Sequence, residues 1–324
     1  MVHSGDIDKA IRVYGGAERN WIDLSTGINP ESYPIPKLLN TDWRNLPTQS
    51  EIEKLESIIQ LEFKTSSNVL LTPGSQIAIS LLPTILKKQE VGILEPTYSD
   101  YRESFENAGY KVCSCKKFKE LFDAKIAIIV NPNNPDGKSY NLEKLIHLSE
   151  KVEMLILDES FIEASKAESI IAYINEKTNN IIVVKSFGKF FGLAGLRLGF
   201  VISGKSIILK LKRIFSSWPV SKVSIKIATK AIRDKKWINN TQLKLLKNVN
   251  ELDKILKPFN FNLIGGTNLF RLYSTPNSIL SQKLLAKFFI WSRIFAYSKK
   301  WLRLGIPCDK DLKQINRRLN KLKI

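Results

Sequence analysis

The stretch KSFGKFFGLAGLRLGF (185–200) holds four glycines, two lysines and one arginine among mostly apolar residues. It contains too many glycines for an ordinary core helix and is too apolar for an ordinary surface loop. Two interpretations fit this stretch alone. It is either a glycine-punctuated turn between two core strands or a loop that holds the reactive amine of Lys189. Residues elsewhere in the chain decide between them.

Short apolar runs alternate with amphipathic segments over the first 200 or so residues. Repeated strand–helix–strand units predict an α/β fold, with a mostly parallel sheet and helices on both of its faces. Ligands of such sheets bind outside the carboxyl ends of the strands. The predicted buried strands are NVLLTP (68–73), VGILEP (91–96), AKIAIIVNP (124–132), MLILDES (154–160) and NIIVVKSF (180–187).

The pattern changes after about residue 204, where a long helical stretch begins near Lys205. Helical segments and two strand candidates, TNLFRLY (267–273) and KWLRLGIP (300–307), follow it. We therefore expect a large domain over 26–204. The segments 1–25 and 205–324 are expected to form a smaller α+β domain.

The amino-acid composition limits the binding partners, the membrane association and the location that we expect for the protein. The net charge is +19, from 50 Lys and Arg against 31 Asp and Glu. Because the lysines are spread along the chain, we expect solvated helix faces and a small anionic ligand, not nucleic acid. No apolar run is long enough to predict a membrane span, and the first residues do not resemble a signal peptide. Three irregularly spaced cysteines predict neither disulfides nor a metal site, so a cytoplasmic location is expected.

Three further motifs lie at the ends of predicted strands. PGSQ (73–76) precedes a helix and can point backbone N–H groups at a phosphate, although any strand–helix turn looks similar. NPNNPDG (131–137) is a tight loop that also offers the amide of Asn134 to a ligand. ILDES (156–160) ends a buried strand in a carboxylate, which is costly unless it is paired. A protonated ring nitrogen would be a suitable partner for Asp158, and a helix N-cap is the alternative.

In this order, PGSQ, EPTYSDY, NPNNPDG, DESF and SFGKFFGLAGLRLGF resemble the fold-type I pyridoxal-phosphate enzymes of the aminotransferase class I/II group. The resemblance covers almost the whole chain. The motifs HSG (3–5), DLSTGINP (23–30), WPVS (218–221) and WLRLGIP (301–307) are more narrowly similar to threonine-phosphate decarboxylases of cobalamin biosynthesis and to the aminotransferase-like proteins of that pathway. Histidinol-phosphate aminotransferases are close relatives of this branch.

The resemblance implies a role for each matching residue. Lys189 matches the lysine that binds pyridoxal phosphate covalently, and Asp158 matches the aspartate that pairs with the pyridine nitrogen. Asn134 matches the asparagine that hydrogen-bonds the ring hydroxyl, and Tyr98 matches the aromatic residue that stacks on the ring. The residues that match the phosphate cup are Gly74, Ser75, Ser186 and Arg197, with Gln76 in the same turn.

Three residues match substrate ligands of the family. Arg303 matches the arginine that binds a substrate anion, and Arg293 lies where the decarboxylases carry a second arginine. His3 matches the histidine of the N-terminal motif, near the substrate phosphate. A phosphorylated amino acid carries two anionic groups, so this set fits phosphothreonine better than a simple amino acid. A surface charge is the alternative for Arg293.

The chain departs from the family pattern at two positions. Many relatives carry a tyrosine three residues after the ring-binding aspartate, where this chain has Phe161, as the decarboxylases tend to have. Relatives also carry a tyrosine that reaches the cofactor phosphate of the neighbouring subunit. Leu46 of LPTQ (46–49) takes its place here, which weakens the case for an active site shared across a homodimer.

We therefore expect a homodimeric enzyme that uses pyridoxal phosphate to decarboxylate L-threonine O-3-phosphate to (R)-1-amino-2-propanol O-2-phosphate. The alternative reaction is transamination of histidinol phosphate or a similar phosphorylated amine with the same residues. A basic protein that kept the fold without catalysis is a further alternative. It has no need of Lys189, Asp158, Asn134 and Arg197 together.

Overall fold

The computed structural model describes residues 5–215 and 217–321. Within these residues the β-strands form two larger sheets and one short two-stranded pair. The strands are β1 (Ile22–Asp23), β2 (Asn68–Thr72), β3 (Val91–Leu94), β4 (Val112–Cys115), β5 (Ile126–Val130), β6 (Met154–Asp158), β7 (Ile181–Ser186), β8 (Gly199–Ser203), β9 (Asn262–Thr267), β10 (Phe270–Ser274), β11 (Ile290–Trp291), β12 (Arg293–Phe295) and β13 (Ser298–Gly305).

The α-helices alternate with the strands of the first sheet and then dominate the chain after β8. They are α1 (Ile7–Tyr14), α2 (Asn40–Arg44), α3 (Gln49–Glu62), α4 (Ser75–Ile85), α5 (Asp100–Asn107), α6 (Leu142–Ser149), α7 (Lys205–Ile214), α8 (Lys222–Ala231), α9 (Lys235–Leu256), α10 (Ser278–Lys287) and α11 (Asp309–Asn320).

The main sheet has the strand order β2-β8-β7-β6-β5-β3-β4 within the described residues. Strand β8 runs antiparallel to both of its neighbours, and the other pairs are parallel. The five predicted strands all lie in this sheet, which confirms the predicted mostly parallel α/β fold. The sequence prediction missed β4 and β8.

Both faces of the main sheet are covered. Ile156 of β6 belongs to a core cluster with residues of α4, α5 and α7. Its neighbours Leu155 and Leu157 point to the other face, because side chains alternate along a strand, and they are equally buried. A strand buried on both faces reads as a continuous apolar run, which is why these strands were predictable.

The described chain divides into two compact units. One contains Tyr33–Asn134 and Lys138–Trp237, and therefore the main sheet. The other takes in the chain up to Ser32, Pro135–Gly137 and the chain from Ile238 onward. The division predicted from sequence, 26–204 against the rest, stays a prediction.

The second unit is built on an antiparallel sheet of order β12-β13-β10-β9 and the parallel pair β1-β11. The strand candidates at 267–273 and 300–307 correspond to β10 and β13. The helical stretch predicted from Lys205 is divided into α7, α8 and α9. It is divided because Pro219 follows α7 and the Ser221 side chain caps α8. Of the residues described, no helix combines the length and the apolar character that crossing a membrane requires.

Candidate active site

Three neighbouring strands of the main sheet bring two of the sequence motifs together. Thr72 at the end of β2 pairs with Gly199 of β8, and Gly199 pairs with Ser186 at the end of β7. The chain after β2 turns directly into α4, whose N-cap is Gly74. A Cβ atom at Gly199 would lie 2.5 Å from the backbone nitrogen of Ser75. Only glycine therefore lets β8 pass beside the start of this helix.

The N-terminus of α4 and an arginine form a cradle for an anion. Gly74 has a φ of 81°, and a Cβ atom there would lie 2.7 Å from Nη2 of Arg197. The Arg197 side chain is exposed. It comes from the glycine-rich stretch 185–200 and reaches the turn at Gly74. The first backbone N–H groups of α4 have no partner within a helix, and the helix dipole favours negative charge at this end. The cradle is thus suited to a phosphate group.

Asp158 is a buried carboxylate at the carboxyl end of β6. It is 4% exposed, and its backbone pairs with Val130 and Val184 on the two neighbouring strands. Its Oδ1 accepts a hydrogen bond of 2.8 Å from the Ser160 backbone N–H. Its Oδ2 accepts one of 3.1 Å from the Tyr101 hydroxyl. Burial raises the pKa of Asp158 above its usual value, whereas these hydrogen bonds and the positive charge of Lys189 act in the opposite direction.

Tyr98 is held by a polar triad at the start of α5. Its hydroxyl lies 2.8 Å from Oε1 of Gln76 and 3.0 Å from Oδ2 of Asp100. The Gln76 amide donates to the same Asp100 oxygen at 2.6 Å. Burial and the Asp100 charge raise the pKa of Tyr98, so the phenol stays neutral. The triad fixes the plane of a ring that would stack on an aromatic ligand.

The loop that carries Asn134 is tied to the loop that carries Tyr98. Asn133 accepts a hydrogen bond of 2.6 Å from the Thr97 hydroxyl and donates one of 3.0 Å to the Pro96 carbonyl. The backbone N–H of Asn131 donates to the Asp158 carbonyl at 2.8 Å. These bonds set the two loops and the end of β6 side by side at the carboxyl edge of the sheet.

Lys189 lies in the turn after β7, three residues beyond Ser186. Its Nζ is 5.2 Å from the centre of the Phe161 ring, and its charge acts on Asp158. The turn is braced by aromatic rings, since Phe191 stacks on Phe187 at 4.4 Å and on Trp237 at 5.6 Å. The glycine-rich stretch 185–200 therefore forms the turn between the core strands β7 and β8. It also places Lys189 beside the buried Asp158 carboxylate.

The predicted substrate residues belong to the other compact unit. Arg293 of β12 and Arg303 of β13 are directly opposed partners in the antiparallel pair. The Arg303 guanidinium donates to the Ser25 carbonyl at 2.9 Å and lies over the Phe270 ring at 5.3 Å. The backbone N–H of Gly5 donates to the Ser25 hydroxyl at 2.8 Å, so Gly5 and Arg303 both contact Ser25 of the DLSTG motif. His3 lies outside the described residues.

Comparisons with known proteins show the family to which the chain belongs. The family model "Aminotransferase class I and II" matches residues 40–322. The chain belongs to the aminotransferase class I and II family. Within this family, the chain is 34% identical to a threonine-phosphate decarboxylase of Sinorhizobium over 95% of this chain and 94% of that protein. It is 31% identical to the threonine-phosphate decarboxylase of Pseudomonas aeruginosa, with 96% and 94% covered.

A solved structure of the same fold is that of the histidinol-phosphate aminotransferase from Sinorhizobium meliloti in complex with pyridoxal 5'-phosphate. The TM-score is 0.84 at 16% identity, and 99% of this chain and 96% of that chain are covered. At this identity the likeness concerns the fold. It confirms the predicted fold-type I architecture.

This aminotransferase-family chain is a pyridoxal-phosphate-dependent enzyme. Its residues fit that cofactor, because the Gly74 cradle suits a phosphate and the buried Asp158 carboxylate suits a protonated ring nitrogen. The charge of Lys189 acts on Asp158, and Lys189 is the predicted lysine for covalent attachment. The roles of the single residues remain predictions.

Two further residues of the site belong to the EPTYSDY motif (95–101), and the sequence alone predicts no role for them. Asp100 binds both Gln76 and Tyr98, and Tyr101 donates to Asp158. The signal that could have found them is the position of a carboxylate and a second tyrosine in the first turn after Tyr98. Such a turn faces the carboxyl ends of the strands.

The second acid of the DESF motif belongs to a separate buried cluster. Glu159 follows Asp158 and is therefore on the other side of the strand end, where it accepts bonds from the Ser169 hydroxyl at 2.6 Å and the Ile170 N–H at 3.0 Å. Lys185 of β7 forms an ion pair of 2.5 Å with Glu163. The cluster connects β7, which leads to Lys189, with the chain that follows Asp158.

Proposed function

We propose that the enzyme decarboxylates L-threonine O-3-phosphate to (R)-1-amino-2-propanol O-2-phosphate, a reaction of cobalamin biosynthesis. The observation that carries the proposal is the opposed pair Arg293 and Arg303, which offers two cations on one face of a small sheet. Guanidinium groups bind carboxylate and phosphate through forked hydrogen bonds. A substrate with one carboxylate and one phosphate has an anion for each of them.

The protein's own residues divide the work as follows. Pyridoxal phosphate, when bound, would supply the electron sink for the pair that remains when a bond to the substrate Cα breaks. Arg303 and Arg293 hold the two anions, and His3 assists at the phosphate, so that the bond from Cα to the carboxylate is the one aligned to break. The Cα–carboxylate bond breaks, carbon dioxide leaves, and Lys189 Nζ delivers a proton to Cα. Asp158 keeps a proton on the ring nitrogen through its negative charge.

The cofactor is held by residues of several strand ends. The phosphate is bound in the cradle of Gly74, Ser75, Ser186 and Arg197, with Gln76 in the same turn. Tyr98 covers one face of the ring, and Asn134 donates to the ring hydroxyl. Support for this set comes from the strand register that brings Thr72, Gly199 and Ser186 into one row.

We also propose that the enzyme is a homodimer in the cytoplasm. The segment from Tyr33 to Pro47 carries four exposed apolar side chains: Ile35, Leu39, Trp43 and Leu46. Such a patch favours burial against a second copy of the chain. Light scattering of the purified protein tests the dimer, and the three free cysteines agree with a reducing compartment.

A product assay tests the proposed reaction. Purified enzyme loaded with pyridoxal phosphate is incubated with L-threonine O-3-phosphate, and carbon dioxide, aminopropanol phosphate and 2-oxo acid are measured. We expect one carbon dioxide for each aminopropanol phosphate, and no turnover by Lys189→Ala. A 2-oxo acid formed without carbon dioxide would establish the aminotransferase alternative. Full turnover by Lys189→Ala would exclude the role given to this lysine.

A further inference from the structure

The side chain of Tyr101 forms the one polar contact from α5 to Asp158 found among the described residues. Tyr101 is fully buried, and its hydroxyl lies 3.1 Å from Oδ2 of Asp158. The other carboxylate oxygen accepts the backbone N–H of Ser160 at 2.8 Å. One donor on each oxygen fixes the plane of the carboxylate as well as its position.

We propose that Tyr101 is a positioning residue that holds the Asp158 carboxylate in place for the ring nitrogen of pyridoxal phosphate. The proposal rests on the cofactor and is independent of the substrate in the proposed function. Tyr101 binds the Asp158 carboxylate and is given no part in the bond changes of the substrate. It acts through Asp158.

The geometry leaves room for the ring nitrogen on the carboxylate. An ionised carboxylate has about four lone-pair directions, and two of them are taken by Tyr101 and Ser160 in this structure. A donor from the ring can occupy a third. Hydrogen bonds to the charged form of a buried acid stabilise that form against the cost of desolvation. Tyr101 is therefore placed to favour the ionised carboxylate that the ring nitrogen needs.

The tyrosine is a donor that does not ionise itself. Burial and the Asp158 charge raise the pKa of Tyr101 well above its usual value. The hydroxyl thus keeps its proton over the working range of the enzyme. A histidine at this position would gain or lose a proton near neutral pH, whereas a phenol gives a constant donor.

One helix start supports both contacts to the ring. Tyr98 lies two residues before the first residue of α5, and Tyr101 is the second residue of that helix. Tyr98 is the predicted stacking residue, and Tyr101 orients the aspartate at the ring nitrogen. A shift of α5 would therefore disturb the face contact and the nitrogen contact together.

The variant Tyr101→Phe tests the proposal because it removes the hydroxyl and keeps the buried ring. Apoenzyme is titrated with pyridoxal phosphate, and the dissociation constant and the absorption spectrum of the bound cofactor are measured. We expect the dissociation constant to rise about tenfold, as for loss of one hydrogen bond to a charged group. We also expect the pH at which the bound cofactor changes colour to shift. An unchanged constant and an unchanged spectrum would overturn the proposal.

Two matched tyrosines serve as controls. Tyr110 is a buried tyrosine of the same compact unit whose hydroxyl lies 2.8 Å from the Pro83 carbonyl oxygen and 2.7 Å from that of Leu86. Tyr273 is a buried tyrosine of the other unit that donates to the Asp253 carboxylate at 2.6 Å. Tyr110→Phe and Tyr273→Phe should leave the dissociation constant and the spectrum as in the unmodified enzyme.

A double-mutant comparison separates positioning from mere packing. In an Asp158→Asn background, Tyr101→Phe should have little further effect on cofactor affinity, because the charge that the hydroxyl serves is gone. If Tyr101→Phe fails to fold, its stability is compared in the original and in the Asp158→Asn backgrounds. Loss of folding only in the original background supports the proposal, and equal loss in both backgrounds overturns it. None of these measurements needs a substrate, so their failure is distinct from failure of the product assay.

Discussion

Arg293 and Arg303 face each other directly across the antiparallel pair β12–β13. Their Cβ atoms are therefore on the same face of the sheet, about 5 Å apart. Like charges in directly opposite positions destabilise a sheet, so stability does not account for the pair. Arg303 is 5% exposed and bound to the Ser25 carbonyl, whereas Arg293 is only partly buried. The two arginines are thus held differently, with Arg303 the more fixed.

Replacing Arg293 with lysine should lower kcat/KM for L-threonine O-3-phosphate about tenfold. Lysine keeps the positive charge but cannot make the forked contact to a phosphate or carboxylate, and one hydrogen bond to a charged group contributes about 1.5 kcal/mol or more. Initial rates over a range of substrate concentrations measure the effect. The affinity for pyridoxal phosphate should not change.

Arg271→Lys is the matched control for this prediction. Arg271 belongs to the same small sheet, but its guanidinium is bound by Asp253 at 2.5 Å. We expect kcat/KM of this variant to remain within about twofold of the original value, the range ordinary for a change remote from the chemistry. Equal losses in the two variants would mean that the sheet, and not the Arg293 guanidinium, determines substrate affinity.

Gly74→Ala should weaken pyridoxal phosphate binding by at least about tenfold, the loss expected from one charge-assisted contact. A Cβ atom at this position would lie 2.7 Å from Nη2 of Arg197, and the φ of 81° disfavours any L side chain. The arginine would have to leave the cradle. Titration of the apoenzyme with pyridoxal phosphate measures the loss.

Gly195→Ala provides a control within the same glycine-rich stretch. A Cβ atom at Gly195 meets nothing within 4 Å, and its φ is outside the left-handed range. The cofactor affinity of this variant should equal that of the original enzyme. If Gly74→Ala bound pyridoxal phosphate as tightly as Gly195→Ala does, the cradle would not be the phosphate site.

The strands of the main sheet differed in how well the sequence predicted them. Ile126–Val130 and its neighbouring strands are buried on both faces, so their residues form a continuous apolar run in the sequence. Val112–Cys115 is an edge strand with a mixed pattern, and β8 runs on from a glycine-rich stretch without a boundary of its own. Neither carries a local signal, because pairing with β3 or β7 defines them.

The part of the candidate site that lies in the ordered motifs was predictable from the sequence. Asp158 ends β6, Lys189 and Arg197 follow β7, and the order of the motifs that contain them implies their roles through the resemblance. The bond from Tyr101 to Asp158 joins residues 57 positions apart. No local pattern contains such a contact, since it depends on how α5 packs beside the end of β6.

Asp158→Asn should make the apoenzyme more stable relative to the original protein at about pH 8 than at about pH 3, which lies below the ordinary pKa of aspartate. Burial raises the pKa of Asp158 in the folded state above its unfolded value. Below the unfolded pKa both states hold the proton and burial carries no charge penalty. As the pH rises, the unfolded chain releases its proton first, so the free energy of unfolding falls until the pH exceeds the folded pKa. Asparagine has no such loss.

Chemical denaturation of the two apoproteins at both pH values measures this difference. Lys189 and Tyr101 act on Asp158, the Asp158 charge acts on Tyr98, and these three side chains remain in the variant. In the holoenzyme at neutral pH, Asp158→Asn should instead lower the free energy of unfolding, because the variant loses the charged partner of the ring nitrogen. A stability difference that is the same at both pH values would show that Asp158 is not destabilised by its burial.

Phe191→Ala should lower the free energy of unfolding by about 3 kcal/mol and also weaken cofactor binding. The Phe191 ring is stacked between Phe187 and Trp237, and its carbonyl accepts the Tyr33 N–H at 2.8 Å. Lys189 lies two residues earlier in the same turn, so the cavity left by the ring would loosen the position of its amine. Denaturation of the apoenzyme and titration with pyridoxal phosphate measure the two effects.

Phe118→Ala distinguishes loss of an aromatic ring in general from loss of this one. Phe118 packs against Tyr140 with ring centres 4.7 Å apart, is only partly buried, and belongs to the same compact unit. Its removal should cost less stability and leave the cofactor dissociation constant unchanged. Equal changes of that constant in both variants would mean that general destabilisation of the unit governs cofactor affinity. A change confined to Phe191→Ala would assign the effect to the turn that carries Lys189.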